Sequence, residues 1–248
     1  MPARGCGASR RPDSGPDWTG FARSDRWVIR NAVRVILIAA KELAAAKTRL
    51  ASAMPPAERR ALAEAMFRDV LEAAIAARRR DYVAVVTSDR ILLGLARSSG
   101  ALAIDEEFPR GLNAAVRLAT NALVAEGATE VATVLSDIPL VTADDIDAAF
   151  DSRPALPGVV LVPSHDLTGT NIIVRTPPGV VATRFGRASL ARHLEDCRGL
   201  GLACRVVAMA RPAFDLDTMS DLIEFVRSPG VTHTYNHLAR LGLGQGRP

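Results

Sequence analysis

From Val33 onward the chain alternates short apolar runs with stretches in which apolar residues recur every three or four positions. Seven runs have the length and β-branched content of strands: VRVILIAA (33–40), YVAVVTS (82–88), LAID (102–105), VATVLSD (131–137), VVLVPS (159–164), NIIVRT (171–176) and RVVAMA (205–210). Between the first two, Leu62, Met66, Val70 and Ala73 recur at helical spacing behind an opening proline pair. A second helix is predicted over 112–125, with Leu112, Val116, Ala119 and Leu123 on one face. Two later helices are signalled by TADD from Thr142 and TMSD from Thr218, where a hydroxyl and an acid can satisfy free amides of the first turn. Strands alternating with helices indicate βαβ units, hence an α/β fold with a mostly parallel sheet.

A length of 248 residues and 48% hydrophobic content suit one α/β domain. The formal charge of +4 at first suggests a nucleic-acid binder, yet residues 1–34 hold seven Arg against three Asp, which is the whole excess. The rest of the chain balances to zero and has no overall electrostatic footprint for nucleic acid. Residues 1–30 mix Gly, Pro, Ser, Arg and Asp and read as a disordered basic tail ahead of a domain at 31–243, consistent with an upstream start codon. Cys6, Cys197 and Cys204 form no C-x-x-C pair, and their odd number fits a reducing cytoplasm better than a disulfide framework. No stretch approaches the ~18 consecutive apolar residues needed to span a bilayer.

In open α/β sheets ligands bind beyond the carboxyl ends of strands, so Asp137, which closes an apolar run in LSDIPL, is a site candidate by position. Taken alone it could simply begin a turn before Pro139. A second acidic element, FDLDT, places Asp215 and Asp217 two apart, on the same side of an extended segment. Three carboxylates near one sheet edge repel one another unless a hard cation such as magnesium offsets their charge, and oxygen ligands are what that ion takes. After the first strand, KELAAAKTRL supplies Lys41, Lys47 and Arg49, a donor cluster suited to a polyphosphate. Neither G-x-G-x-x-G nor G-x-x-x-x-G-K-[ST] occurs, which argues against a standard dinucleotide site or P-loop. In GLNAAV, Asn113 falls in a first helical turn, where its amide could read a base or cap the helix. LTGTN and RFGRAS set Gly beside Thr or Ser, which lets amides and hydroxyls approach an anion. His165 and His193 have no partner at metal-ligand spacing and read as surface or core residues.

In this order KELAAAKTRL, GLNAAV, LSDIPL, TGTNIIV, RFGRASLARH and FDLDT resemble the CofC-type guanylyltransferases of coenzyme F(420) biosynthesis, over roughly residues 33–240. The resemblance implies a single-domain, Rossmann-like mixed sheet of the nucleotide-diphospho-sugar transferase type. It implies transfer of GMP from GTP to a three-carbon phosphorylated acid (2-phospholactate, phosphoenolpyruvate or 3-phosphoglycerate), with release of pyrophosphate. Asp137, Asp215 and Asp217 would hold Mg2+, while Lys41, Lys47 and Arg49 would face the triphosphate, with Asp137 in the catalytic set. Thr87, Ser88 and Asn113 would face the nucleoside, and Thr170, Gly186 and Ser189 the acceptor acid. The implied partners are these two substrates, the next enzyme of the pathway and a second copy of the chain, with no nucleic acid and no membrane. The competing readings are another nucleotidyltransferase or a nucleotide-sugar glycosyltransferase of similar fold, and a non-catalytic nucleotide-binding partner.

Overall fold

The computed structural model describes residues 33–227 and 230–243. The expected tail at residues 1–30 lies outside the described residues. Seven strands form one sheet: β1 (Arg34–Ala39), β2 (Tyr82–Thr87), β3 (Leu102–Asp105), β4 (Glu130–Leu135), β5 (Gly158–Pro163), β6 (Thr170–Thr176) and β7 (Ala203–Val206). Their spatial order is β3-β2-β1-β4-β6-β5-β7. Strand β6 runs antiparallel to both neighbours, and every other pair is parallel. The alternation of elements predicts the mostly parallel sheet, and the antiparallel β6 makes it mixed, as the family resemblance implies.

Helices α1 (Pro56–Ala76), α2 (Arg90–Ser98), α3 (Leu112–Ala125), α4 (Ala143–Asp151), α5 (Ser189–Gly199), α6 (Met219–Arg227) and α7 (His233–Arg240) cover both faces. Strand β1 shows why its run is apolar without a break. Ile36 and Ile38 enter a core built with Leu62, Met66 and Phe67 of α1 and with residues of α2, α4, α6 and α7. Val35, Leu37 and Ala39 point the other way, onto Val116, Ala119 and Leu123 of α3 and Leu190 of α5. Ile36, Leu37 and Ile38 are wholly buried, so truncating any one to alanine costs about 2–5 kcal/mol.

The chain leaves β1 toward β2 on one side and returns with β4 on the other. Where strand order reverses, the loops after β1 and β4 diverge and leave a crevice beyond their carboxyl ends.

The seventh strand is shorter and earlier than the run at 205–210 predicts. Strand β7 is an edge strand paired only with β5, and after Val207 donates to Leu161 O at 2.9 Å the chain leaves the ladder. Both expected capping boxes form. On α4, Thr142 Oγ1 accepts from Asp145 N at 3.3 Å and Asp145 Oδ2 accepts from Thr142 N at 2.9 Å. On α6, Thr218 Oγ1 accepts from Asp221 N at 3.3 Å and Asp221 Oδ2 accepts from Thr218 N at 2.6 Å. The pattern reading passed over α2, α5 and α7, although Asp89 caps α2 by accepting from the amides of Ile91 and Leu92.

Candidate active site

Asp137 stands two residues past the end of β4, with Ile138 wholly buried behind it as an anchor. The FDLDT segment lies directly alongside, because Leu216 N donates to Asp137 O at 3.1 Å. Leu216 is buried in the core, so extended geometry turns Asp215 and Asp217 together to the opposite side, into the crevice. Two further bonds fix the approach of this segment: Asn171 Nδ2 donates to Pro212 O at 2.9 Å, and His165 N donates to Ala213 O at 2.9 Å. The two acidic elements, far apart in sequence, are thus joined through the backbone before any metal is considered.

The loop after β1 brings the cations. Leu43 and Leu50 are buried and pin its two short 3-10 turns, while Lys47 between them adopts a left-handed backbone, φ 51° and ψ 41°. A non-glycine residue there costs on the order of 1–2 kcal/mol. That conformation aims Lys47 Nζ between two carboxylates, 2.9 Å from Asp137 Oδ2 and 2.7 Å from Asp217 Oδ1. The side chain is only 5% exposed. Burial pulls the ammonium pKa down, but the charges of Asp137 and Asp217 outweigh it and hold the group above its usual value. Conversely, burial pushes Asp217 up, and Lys47, Arg49 and Lys41 more than offset it, leaving the carboxyl below its usual range. Arg49 reaches Asp217 Oδ2 at 3.4 Å from an exposed position, and Lys41 lines the same crevice.

Asp215 behaves differently. Burial, then the charges of Asp137 and Asp217, hold its pKa above the usual carboxylate range. Its Oδ1 is buried without a hydrogen bond, facing His165 Nδ1 at 3.6 Å. An orphaned carboxylate oxygen under negative pressure from two neighbours fits a hard cation. Among the described residues no group of three acidic, His or Cys side chains is already gathered as a metal cage. The Lys47 ammonium stands between Asp137 and Asp217 instead.

Across the crevice, Thr170, Gly186 and Ser189 line the same cavity, of about 970 Å³, as the lysines and aspartates. Asp166 organises the loop before Thr170: its Oδ1 accepts from Ser164 Oγ at 2.6 Å and Thr168 N at 3.0 Å, and its Oδ2 from Thr168 Oγ1 at 2.7 Å. These bonds, from the Ser164 hydroxyl first, bring its pKa down to about 2. Gly186 has φ +115°, a conformation open to glycine, and Ala188 just before α5 is left-handed at φ 55°. Of the four described non-glycine residues with positive φ, Lys47 and Ala188 line the cavity and Leu167 sits in the loop beside it. Such conformations concentrate where surrounding structure enforces a functional geometry.

Lys41, Lys47, Arg49, Asp137, Asp215, Asp217, Thr170, Gly186 and Ser189 therefore share one cavity, whereas Thr87, Ser88 and Asn113 are not among its lining residues. Thr87 is wholly buried and its Oγ1 accepts from Asp89 N at 3.1 Å, while Ser88 Oγ donates to Glu42 Oε1 at 2.9 Å. Asn113 does not cap α3. Its carboxamide pairs both ways with the Phe185 backbone, Nδ2 donating to O at 3.0 Å and Oδ1 accepting from N at 2.8 Å, which ties the Gly186 turn to α3. Sequence reasoning missed Arg187, His165 and Asp166, all on the cavity wall. The S-x-D-x-T spacing of Ser164, Asp166 and Thr168 was the available signal for that loop.

The family model described as "Guanylyl transferase CofC like" matches residues 34–245. A phosphoenolpyruvate guanylyltransferase of Sphaerobacter thermophilus is 37% identical over 190 residues, 77% of this chain and 91% of that one. A 3-phospho-D-glycerate guanylyltransferase of Phenylobacterium zucineum is 36% identical over 198 residues, 74% of this chain and 85% of that one. A 2-phospho-L-lactate guanylyltransferase of Methanothermobacter thermautotrophicus is 33% identical over 196 residues, 79% and 85% of the two chains. Among solved structures, a Desulfovibrio desulfuricans G20 protein assigned to the nucleotide-diphospho-sugar transferases superposes with a TM-score of 0.69 at 20% identity, over 86% of this chain and 96% of that one. CMP:2-keto-3-deoxy-manno-octonic acid synthetase, solved with CTP, superposes at 0.52 and 16% identity over 78% and 97%. These two likenesses establish the fold. With its whole described domain matched and its acidic and basic motifs on one cavity, the chain belongs to the CofC-like guanylyltransferase family.

Proposed function

We propose that the protein transfers GMP from GTP to the phosphate of a three-carbon phosphorylated acid, releasing pyrophosphate, as a step in coenzyme F(420) biosynthesis. The observation that carries this reading is the convergence of Lys41, Lys47 and Arg49, the three aspartates, and Thr170, Gly186 and Ser189 on one cavity.

In this reading an oxygen of the acceptor phosphate forms a new bond to the α-phosphorus of GTP while the bond from that phosphorus to the β-phosphate oxygen breaks. The acceptor phosphate is ionised near neutral pH, so attack needs no general base. The protein's work is in-line positioning and cancellation of charge. Lys41 and Arg49, reaching in from exposed positions, meet the triphosphate, and Lys47 offsets negative charge at the metal and phosphate end of the cavity. Asp137, Asp215 and Asp217 would hold Mg2+, which when bound neutralises phosphate charge and polarises the attacked centre. The orphaned Asp215 oxygen supports that donor set. Asn113 acts by holding the Phe185–Gly186 turn. In this reading Thr87, which ends β2, and Ser88 act from outside the cavity lining: they bond Asp89 and Glu42, and Asp89 Oδ2 in turn accepts from Leu43 N at 3.0 Å, bracing the loop after β1.

We place the working unit at residues 31–243 and the enzyme in the cytoplasm. Among the described residues Cys197 and Cys204 are unbridged, and no helix is long and apolar enough to cross a membrane.

The test is pyrophosphate release with magnesium and GTP, ATP or CTP, crossed with phosphoenolpyruvate, 2-phospholactate, 3-phosphoglycerate, a sugar 1-phosphate and a blank. A signal confined to GTP with one phospho-acid establishes the reaction and names the acceptor. Release with a sugar phosphate and none with the acids would assign the chain to a different transferase reaction.

A further inference from the structure

His193, on α5 one turn past Ser189, is wholly buried, and both its ring nitrogens are engaged. Nε2 lies 2.8 Å from the backbone nitrogen of Arg184, a group that can only donate. Nε2 is therefore the bare, accepting nitrogen. Burial above all, assisted by the charges of Arg175 and Arg184 against that of Asp196, brings the ring pKa down to about 4, so the imidazole is neutral at working pH. Its one proton must then sit on Nδ1, which lies 3.1 Å from Thr170 Oγ1 and donates to it.

This fixes the state of the threonine. A hydroxyl has one hydrogen to give, and Thr170 already accepts from the imidazole. Among the described residues its Oγ1 makes no other hydrogen bond, and Thr170 lines the cavity beside Gly186 and Ser189. The same ring also steadies the opposite part of this wall. It anchors Arg184 through Nε2, and the Phe185 ring packs edge-on against it at 5.8 Å, immediately before Gly186.

We infer that His193 is a positioning residue: through the single tautomer its partners allow, it makes Thr170 a hydrogen-bond donor into the acceptor subsite, which selects an unprotonated carboxylate or phosphate oxygen there. The inference rests on reading Thr170, Gly186 and Ser189 as the acceptor subsite. A charge-assisted bond of this kind is worth about tenfold or more in affinity.

The test is a double-mutant cycle read as KM for acceptor and for GTP. His193→Gln leaves an amide that can accept from Arg184 N but removes the donor to Thr170. Thr170→Val removes the hydroxyl. Each change should raise the acceptor KM by about tenfold and leave the GTP KM within about twofold, with the double variant no worse than Thr170→Val alone. Multiplication of the two effects, or an unchanged acceptor KM in His193→Gln, overturns the inference. If Thr170→Val itself leaves the acceptor KM unchanged, the subsite reading falls and takes this inference with it. Should His193→Gln fail to fold, the tautomer of the wild-type ring decides the inference alone. Independently, long-range 1H–15N spectra of the wild-type protein should show His193 protonated at Nδ1 and bare at Nε2, and the reverse tautomer overturns it.

Discussion

Lys47 donates from a buried ammonium to Asp217 Oδ1 at 2.7 Å, from a residue whose backbone is held left-handed. The same nitrogen reaches Asp137, so a single cation joins the end of β4 to the segment that opens α6. Removing it leaves carboxylates facing one another. Lys47→Met should therefore lower turnover by on the order of 10²-fold and destabilise the protein by about 1–3 kcal/mol, a figure discounted because both partners are solvent-accessible. Urea unfolding alongside pyrophosphate release checks both. Asp137→Asn and Asp217→Asn should also cost on the order of 10²-fold or more, with circular dichroism unchanged, because on the proposed metal reading each would remove a cation ligand while keeping the side chain's shape. A near-normal rate in either Asn variant removes Asp137, Asp215 and Asp217 as the metal set.

Asn113 offers a choice between two functions that kinetics separates. Its paired bonds to the Phe185 backbone make it a clamp for the turn that carries Gly186. Asn113→Ala should then raise the acceptor KM by roughly tenfold and leave the preference for GTP over ATP unaltered. A collapse of nucleotide preference with a normal acceptor KM would instead identify Asn113 as a base reader.

The contrast between Asn113 and the aspartates shows what the sequence can carry. Asp215 and Asp217 were legible because a strand-like segment has period two, and buried Leu216 between them confirms that they face one way. Asp137 was legible because an apolar run ending in a charge marks a strand's carboxyl end. The partner of Asn113 lies 72 residues away, and no local pattern specifies which helix receives the Phe185 turn. The same limit hid the role of His193, whose meaning depends on two partners, on β6 and in the loop before α5. The sequence marked Lys47 only as a candidate phosphate cation; its bridge between aspartates arises from a left-handed residue that propensity does not foresee.

Asp166 makes the pH dependence of the loop before Thr170 testable. Its pKa is depressed to about 2, so the stabilisation it lends the loop is present above the unfolded value near 3.9 and is lost as pH falls through about 2. Between pH 5 and 8 it stays ionised and contributes no limb to the rate profile. Titration by carboxyl-carbon NMR should place Asp166 well below the usual carboxylate range. Asp166→Ala should raise the acceptor KM at neutral pH, because Ser164 and the Thr168 amide and hydroxyl lose their common acceptor.

Two glycines on the cavity wall, in the proposed acceptor subsite, should fail for opposite reasons. A Cβ on Gly169 would lie 2.7 Å from Ser164 Oγ and 3.2 Å from Ser164 Cβ, and Ser164 is itself buried and bonded to both Gly169 N and Asp166. The serine cannot retreat without breaking the loop, so Gly169→Ala should destabilise by about 1–3 kcal/mol and weaken acceptor binding together. At Gly186 nothing lies within 4 Å of an added Cβ, yet φ is +115°. There the penalty is backbone strain of about 1–3 kcal/mol, relieved by rotating the turn that Asn113 holds. Gly186→Ala should therefore raise the acceptor KM with a smaller loss of thermal stability than Gly169→Ala. Thermal unfolding and acceptor KM measured on the pair separate crowding from strain, and equal stability losses with unchanged KM values would show that neither glycine shapes the acceptor wall.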